Sequence, residues 1–210
     1  MRKFTTIILL FSIFIVSQFE IKAQNTDFRL LQQVNGIENT VGLSKFISNT
    51  TTTTAALVPT TMAVVALIGK DDDLLKDAVY VGLSMGLNTA LTYSLKNIIN
   101  RPRPYTTYPN DIVAYESMKS MSFPSGHTSI AFATATALSL KYPKWYVIAP
   151  SYAWASYVGY SRMNLGVHYP SDVLAGAVLG AGSAWLTYKV NEWYWKKNAN
   201  KKLLALQSYL

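Results

Sequence analysis

Long apolar runs constrain this chain more than any other feature of its sequence. Half of its 210 residues are hydrophobic and 14% are charged, whereas about 25% of the residues in soluble domains are charged. After residue 50 the apolar residues form five segments, most of them near the ~20 residues that a helix needs to cross a bilayer. The segments are residues 52–69, 78–98, 128–140, 145–160 and 173–190. The sequence therefore predicts one domain, an all-α integral-membrane helical bundle with five transmembrane helices.

The N-terminus has the organisation of a secretory signal peptide. A basic start precedes an apolar run, and a short polar stretch ends at a candidate cleavage point after Ala23. Ile21 is larger than the small residue preferred there, so a retained anchor, giving six membrane helices, is the alternative. We divide the chain into a signal peptide or anchor (1–23), an interfacial or periplasmic amphipathic segment (24–50), a membrane domain (51–195) and a basic cytoplasmic tail (196–210).

The amphipathic segment carries an apolar face over only part of its length. Apolar residues recur at helical spacing from Leu30 to Val41. The same spacing then reaches Ser44 and Ser48, where the apolar face ends. Because Gly36 and other residues offer a break, the pattern predicts two short helices that lie at the membrane interface or pack on the bundle.

The basic residues between the apolar segments predict how the bundle lies in the membrane. Lysine and arginine concentrate on the cytoplasmic side, and here they occupy the loops near Lys70 and Lys141 and the tail. The opposite helix ends therefore face the periplasm, and the predicted location is a bacterial inner membrane. The net charge of +8 is scattered, so no nucleic-acid partner is predicted. The absence of cysteine from the sequence excludes disulfides and thiolate metal sites.

Three blocks of phosphate-binding residue types fall at the predicted periplasmic helix ends. Two predicted helices that run in opposite directions lie between the second block and the third, so the blocks are predicted to meet on one face of the bundle. The second block precedes an apolar run and is predicted to begin a helix whose free backbone N–H groups bind anions. The block residues are Lys96, Arg103 and Pro104; Pro124, Ser125, Gly126 and His127; and Ser161, Arg162, His168 and Asp172.

These residue types point to phosphoryl transfer. A phosphate ester repels nucleophiles, so its equatorial oxygens must be neutralised while phosphorus is attacked. The planar forks of Arg103 and Arg162 suit that task, with Lys96 as a third charge. His168 and Asp172 are four residues apart, so the carboxylate can orient the imidazole and stabilise the charge it acquires.

Together the blocks resemble the three-part signature of the type 2 phosphatidic acid phosphatase superfamily, which includes the vanadium haloperoxidases. The similarity covers residues 96–172 and is greatest to the integral-membrane branch. The resemblance implies that His168 is the nucleophile, that Asp172 orients it and that His127 is the general acid. It implies neither a metal nor a cofactor. It assigns phosphate binding to Lys96, Arg103, Ser125, Gly126 and Arg162.

The same resemblance implies a metal-independent phosphatase that acts on a lipid phosphate or pyrophosphate in the bilayer through a phosphohistidine. Undecaprenyl pyrophosphate, phosphatidic acid, phosphatidylglycerol phosphate and lipid A phosphates are the candidate substrates. Arg101 lies outside the blocks, and it is either an interfacial charge or a contact to a second phosphate, which would favour undecaprenyl pyrophosphate. The loop 105–123 either recognises a headgroup or is merely solvated. The alternative functions are non-catalytic binding or transport of a lipid phosphate, and a vanadium haloperoxidase.

Overall fold

Helices make up the regular structure of the computed structural model, which describes the backbone of residues 25–207 and the side chains of residues 25–195. No β-strand occurs in that range, so the predicted all-α class is confirmed. The predicted signal peptide, residues 1–23, lies outside the described residues. The helices are α1 (25–34), α2 (Glu38–Gly69), α3 (Asp72–Ile99), α4 (Pro104–Thr107), α5 (Gly126–Lys141), α6 (Trp145–Asn164) and α7 (Pro170–Gln207).

The break predicted after residue 30 lies at Gly36, but the helix that follows is not short. Gly36 has φ +71°, a left-handed conformation that glycine adopts without steric cost. The next helix, α2, continues for 32 residues as far as Gly69. Ser44 and Ser48 are buried in line with Ala55, so one packed face crosses the place where the apolar pattern stops. The prediction of a second short helix is therefore wrong.

Helix α5 forms the centre of the bundle, where it packs against α2, α3, α6 and α7. Its alanines at positions 131, 133, 135 and 137 are all fully buried, as expected of a helix enclosed by neighbours on every side. A Cβ added at Gly180 of α7 would lie 2.1 Å from the carbonyl oxygen of Ser129. The absence of a side chain there lets the α5 and α7 backbones come into direct contact, as in many membrane helix pairs.

The outer surface of the bundle is apolar, which indicates a membrane protein. Soluble monomers rarely expose large continuous apolar patches. Two described helices are each long and apolar enough to span a bilayer, namely α2 and the portion Pro170–Trp195 of α7. The prediction of five spans stays a prediction for α3, α5 and α6. Exposed apolar side chains include Val64, Val65, Leu67, Ile68, Leu83, Leu174, Val178 and Leu186.

The two ends of the bundle differ in what they carry. The C-terminal ends of α3 and α6 and the N-terminal ends of α5 and α7 meet at one end, and this end holds the three sequence blocks. The other end holds the turns after α2 and α5, where Lys141 Nζ lies 2.8 Å from Asp77 Oδ1. As a helix of 16 residues, α5 separates the two ends by about 24 Å.

Candidate active site

A cavity of about 200 Å³ lies at the end of the bundle where the three blocks meet. We call it the histidine cavity, because both histidines of the chain line it. The structure thus brings together side chains that the sequence separates by more than 70 residues. Six of the eight predicted site residues line this cavity: Lys96, Arg103, Gly126, His127, Arg162 and His168.

Two of the predicted cations are held by backbone carbonyls of the segment 120–122. Arg103 immediately precedes α4, past the end of α3 as the sequence predicts, and its Nε donates to Ser120 O over 2.8 Å. Lys96, in the last turn of α3, donates to Met121 O and faces the same segment. Both side chains are buried, at 5% and 6% exposure. The segment 120–122 therefore fixes the cations that face the cavity.

The hydrogen bonds of His168 define its tautomer. Arg103 Nη1 lies 3.2 Å from His168 Nε2, and a guanidinium can only donate, so Nε2 is the acceptor. The ring proton is therefore on Nδ1, which lies 3.4 Å from Asp172 Oδ2. The pKa of His168 is lowered to about 3, chiefly by burial and also by the charges of Arg103 and Arg162, while Asp172 opposes them. The imidazole is therefore neutral at pH 7, and the lone pair of Nε2 accepts the hydrogen bond from Arg103 Nη1.

Asp172 lies behind His168 rather than in the cavity wall. It is fully buried, and its Oδ2 accepts hydrogen bonds from the backbone N–H of Tyr169 over 3.0 Å and from Ser122 Oγ. Its Oδ1 accepts from Arg101 Nη1 over 2.6 Å. Arg101 is thus neither a spare charge for a second phosphate nor a merely interfacial one. The sequence argument that favoured undecaprenyl pyrophosphate through Arg101 loses its basis.

Arg162 is hydrogen-bonded through one nitrogen of its guanidinium and lacks described partners at the other two. Its side chain is fully buried, and Nη1 donates to Glu116 Oε2 over 2.9 Å and also to Ser48 Oγ. Its Nε and Nη2 have no hydrogen-bond acceptor within the described part of the chain. Arg162 lines the cavity, and these two nitrogens lie on one edge of a planar guanidinium, a geometry that can take two oxygens of an anion.

The N-terminus of α5 completes the cavity wall. The first N–H groups of a helix have no intrahelical acceptor, and Gly126 and His127, which begin α5, line the cavity as predicted. Ser125 precedes them, but its hydroxyl lies 2.9 Å from Thr128 Oγ1 and is not part of the lining. Its backbone N–H donates to Asp172 O over 3.0 Å. The structure therefore places Ser125 between α5 and α7.

Three polar residues of the site were not predicted as members of it. Ser122 contacts Asp172, Glu116 pairs with Arg162, and Asp27 pairs with Arg101. Each is a single polar residue without a repeating pattern, so the sequence carries no signal that distinguishes it from a solvated residue. Among the described residues, no three His, Cys, Asp or Glu side chains converge in the way that a metal site requires.

Known proteins share this arrangement of sequence and fold. The family model of the PAP2 superfamily matches residues 77–196. A lipid A 1-phosphatase of Porphyromonas gingivalis is 37% identical over 122 residues, which are 57% of this chain and 24% of that protein. An undecaprenyl-diphosphatase of Sulfolobus acidocaldarius is 27% identical over 202 residues, with coverage of 90% and 93%. The crystal structure of Aquifex aeolicus LpxE aligns with a TM-score of 0.57 and 30% identity, over 77% of this chain and 92% of that chain.

The extent of these matches differs between relatives. The chain spans about a quarter of the Porphyromonas gingivalis protein but nearly the whole of the Sulfolobus acidocaldarius protein. The family match covers more than half of the chain, from α3 into α7, and includes all three sequence blocks. The chain belongs to the PAP2 superfamily.

Proposed function

We propose that this protein is a metal-independent membrane phosphatase that hydrolyses a lipid phosphate or pyrophosphate through a phosphohistidine on His168. The observation that carries the proposal is the arrangement around the imidazole. His168 Nε2 is unprotonated and Nδ1 faces Asp172, while three cationic side chains line the same cavity. A neutral, oriented nucleophile beside a set of buried cations matches the requirements of attack at phosphorus.

In the proposed reaction, Nε2 of His168 forms a bond to phosphorus as the bond from phosphorus to the lipid oxygen breaks. The negative charge of the bound phosphate favours protonation of His127, which then gives that proton to the departing oxygen. Asp172 accepts the Nδ1 hydrogen bond and stabilises the positive charge that the ring acquires. Water then attacks phosphorus and gives up its proton to His127, and the N–P bond breaks. Inorganic phosphate leaves, and both histidines return to their starting states.

Within that scheme the cations have distinct tasks. Arg162 presents two N–H groups without acceptors among the described residues, so it is the side chain best prepared to take two equatorial oxygens. Arg103 and Lys96 hold the segment 120–122 and add positive charge beside the nucleophile. The N–H groups at the start of α5 supply further donors. The hydroxyl of Ser125 has to leave Thr128 before it can bind phosphate.

The shape of the cavity favours a substrate whose tail stays in the bilayer. Thr52 of α2 and Thr89 and Tyr93 of α3 line the cavity and are exposed at the surface of the bundle. Thr89 is two helical turns from Lys96, which places the opening about 10 Å along the helix from the phosphate-binding end. A lipid can therefore enter sideways, between α2 and α3, with its phosphate at the helix ends.

The membrane arrangement proposed from the sequence fits this mode of entry. Five spans formed by α2, α3, α5, α6 and α7 within a membrane domain of residues 51–195 bring the histidine cavity to the periplasmic face of a bacterial inner membrane. A substrate in the outer leaflet then reaches the cavity without crossing the bilayer. Relatives that act on lipid A and on undecaprenyl diphosphate define the substrates to test first.

The test is phosphate release by the detergent-purified protein in excess EDTA. Undecaprenyl pyrophosphate, phosphatidic acid, phosphatidylglycerol phosphate and lipid A are each assayed with wild type and with His168→Ala. We expect turnover of at least one lipid, a loss of about 10³-fold to 10⁴-fold in kcat for the variant, and an acid-labile phosphoprotein in wild type alone. Activity that persists in His168→Ala, or that EDTA abolishes and magnesium restores, contradicts the mechanism.

A further inference from the structure

A bridge of two ion pairs joins α1 to the carboxylate behind His168. Arg101 Nη1 lies 2.6 Å from Asp172 Oδ1, and Arg101 Nη2 lies 2.8 Å from Asp27 Oδ2. Asp27 belongs to α1, about fifty residues before the segment that the family model matches. We call Asp27, Arg101 and Asp172 the carboxylate bridge. It links an N-terminal helix to the chemistry proposed for the far end of the chain.

The bridge has a defined geometry. Asp27 Oδ1 accepts the backbone N–H of Ser171 over 2.8 Å, and its Oδ2 accepts the hydroxyl of the same serine. The guanidinium of Arg101 lies 3.9 Å from the centre of the Tyr169 ring. The Asp27 side chain is only 8% exposed. Contacts on three sides therefore fix Asp27, Arg101 and the first turn of α7, from which Asp172 projects.

The charges in the bridge explain why a second carboxylate is needed. Asp172 is fully buried, and a buried carboxylate requires a partner to remain charged. Arg101 alone would offset the charge of Asp172 and weaken its effect on His168. With Asp27 sharing the guanidinium, two carboxylates face one cation, and the bridge keeps one net negative charge. That charge favours the positive imidazole ring that forms when His168 attacks phosphorus.

We propose that Asp27 and Arg101 are positioning residues of the phosphatase, which act on His168 through Asp172. Arg101 orients the carboxylate, and Asp27 preserves its negative charge while fixing the start of α7. This inference rests on the proposed function. Neither Asp27 nor Arg101 lines the histidine cavity, so their loss affects the chemical step and leaves phosphate binding nearly unchanged.

The test separates kcat from KM in Asp27→Asn, assayed on whichever of the four lipids wild type hydrolyses fastest. Asparagine keeps the size of the side chain and can still accept the N–H of Ser171, but it lacks the charge. We expect kcat to fall by about 10-fold to 100-fold, with KM changing by less than about threefold, and Asp27→Glu to recover most of the loss. The double variant Asp27→Asn with Arg101→Gln is expected to be no slower than Arg101→Gln alone, because both act through one bridge.

Asp77→Asn is the matched control, since it removes one carboxylate from a partly buried ion pair between helices at the opposite end of the bundle. Its kcat and KM are expected to equal those of wild type. If Asp27→Asn fails to fold, Arg101→Lys replaces it, because lysine keeps the charge but lacks the fork that joins two carboxylates. If these variants keep the wild-type kcat while His168→Ala loses activity, the positioning role of Asp27 and Arg101 is contradicted and the proposed function stands. Wild type without activity on any lipid overturns the proposed function itself.

Discussion

The two ends of the bundle accommodate charged side chains in opposite ways. At the site end, Lys96, Arg103 and Arg162 are at most 6% exposed. At the other end, the lysines of the pairs Lys76–Asp73 and Lys141–Asp77 have side-chain exposures of 43% and 22%. Ion pairs in water contribute little to stability, whereas removing a charge from water costs several kcal/mol unless partners compensate for it. The site end therefore retains charges that the fold alone does not require.

What compensates the buried charges also differs between the two ends. Lys141 meets a single carboxylate and two aromatic rings. Arg162 meets Glu116 and Ser48 through Nη1 but has two further nitrogens without an acceptor among the described residues. An incompletely satisfied, buried guanidinium lining a cavity is arranged for a ligand that supplies the remaining acceptors. The lysines at the opposite end thus have their carboxylate partners within the protein, whereas Arg162 has nitrogens left for the anion proposed to bind there.

The largest expected effect comes from breaking the buried pair at the site end with Glu116→Gln. Arg162 then has no counter-charge, and removing one partner of a buried ion pair costs roughly 3 kcal/mol of folding stability. Bound inorganic phosphate can replace the missing charge. We therefore expect phosphate to raise the Tm of Glu116→Gln more than that of wild type, measured by thermal unfolding in detergent.

The control for this prediction is again Asp77→Asn at the opposite end. Its stability is expected to fall by less than about 1 kcal/mol, as for other partly exposed pairs, and phosphate is expected to shift its Tm no more than it shifts that of wild type. Equal phosphate effects in Glu116→Gln and Asp77→Asn would contradict the view that Arg162 is prepared for an anion.

A smaller effect is expected from the close contact of α5 and α7 near the site. A methyl group at Gly180 would lie 2.1 Å from Ser129 O, whereas one at Gly182 would contact nothing within 4 Å. Overpacking of this kind costs about 1–3 kcal/mol, so Gly180→Ala should lower the Tm. Gly182→Ala should leave it unchanged or raise it, since alanine favours helix by about 1 kcal/mol. If both variants have the same Tm, the two helices are not packed as closely as described.

The sequence predicted the parts of this site that depend on local structure. The helix boundaries that place Arg103 beyond α3 and Gly126 at the start of α5 follow from proline and from the onset of an apolar run. The meeting of the three blocks follows from helices that run back and forth between two ends. His168 and Asp172 pair as expected, with Nδ1 3.4 Å from Oδ2, although His168 lies two residues before α7 and only Asp172 belongs to that helix.

The sequence did not predict the features of the fold and the site that depend on how distant segments of the chain pack against each other. Ser44 and Ser48 interrupt an apolar pattern, yet both are buried because small residues suit close helix packing. Asp27 and Glu116 find their arginines only when α1 and the loop before α5 fold onto the bundle. A hydrophobic pattern records burial of apolar groups, so it does not reveal buried polar groups whose partners are distant in the chain.

The smallest expected effect concerns pH and tests whether His168 is buried as a neutral ring. The pKa of His168 is lowered from 6.5 to about 3, chiefly by burial. Between these values the unfolded chain binds more protons than the folded protein, so stability rises with pH and falls as the solution is acidified. Lowering the pH from 7.5 to 6 should therefore cost wild type roughly 1 kcal/mol more than His168→Gln, which lacks the titrating ring. Chemical unfolding of both proteins at the two pH values measures this difference. His127 is present in both proteins, so its contribution to the pH dependence cancels in the comparison. An equal loss in the two proteins would mean that His168 keeps an ordinary pKa, and that the site end exposes His168 to water as the opposite end exposes its lysines.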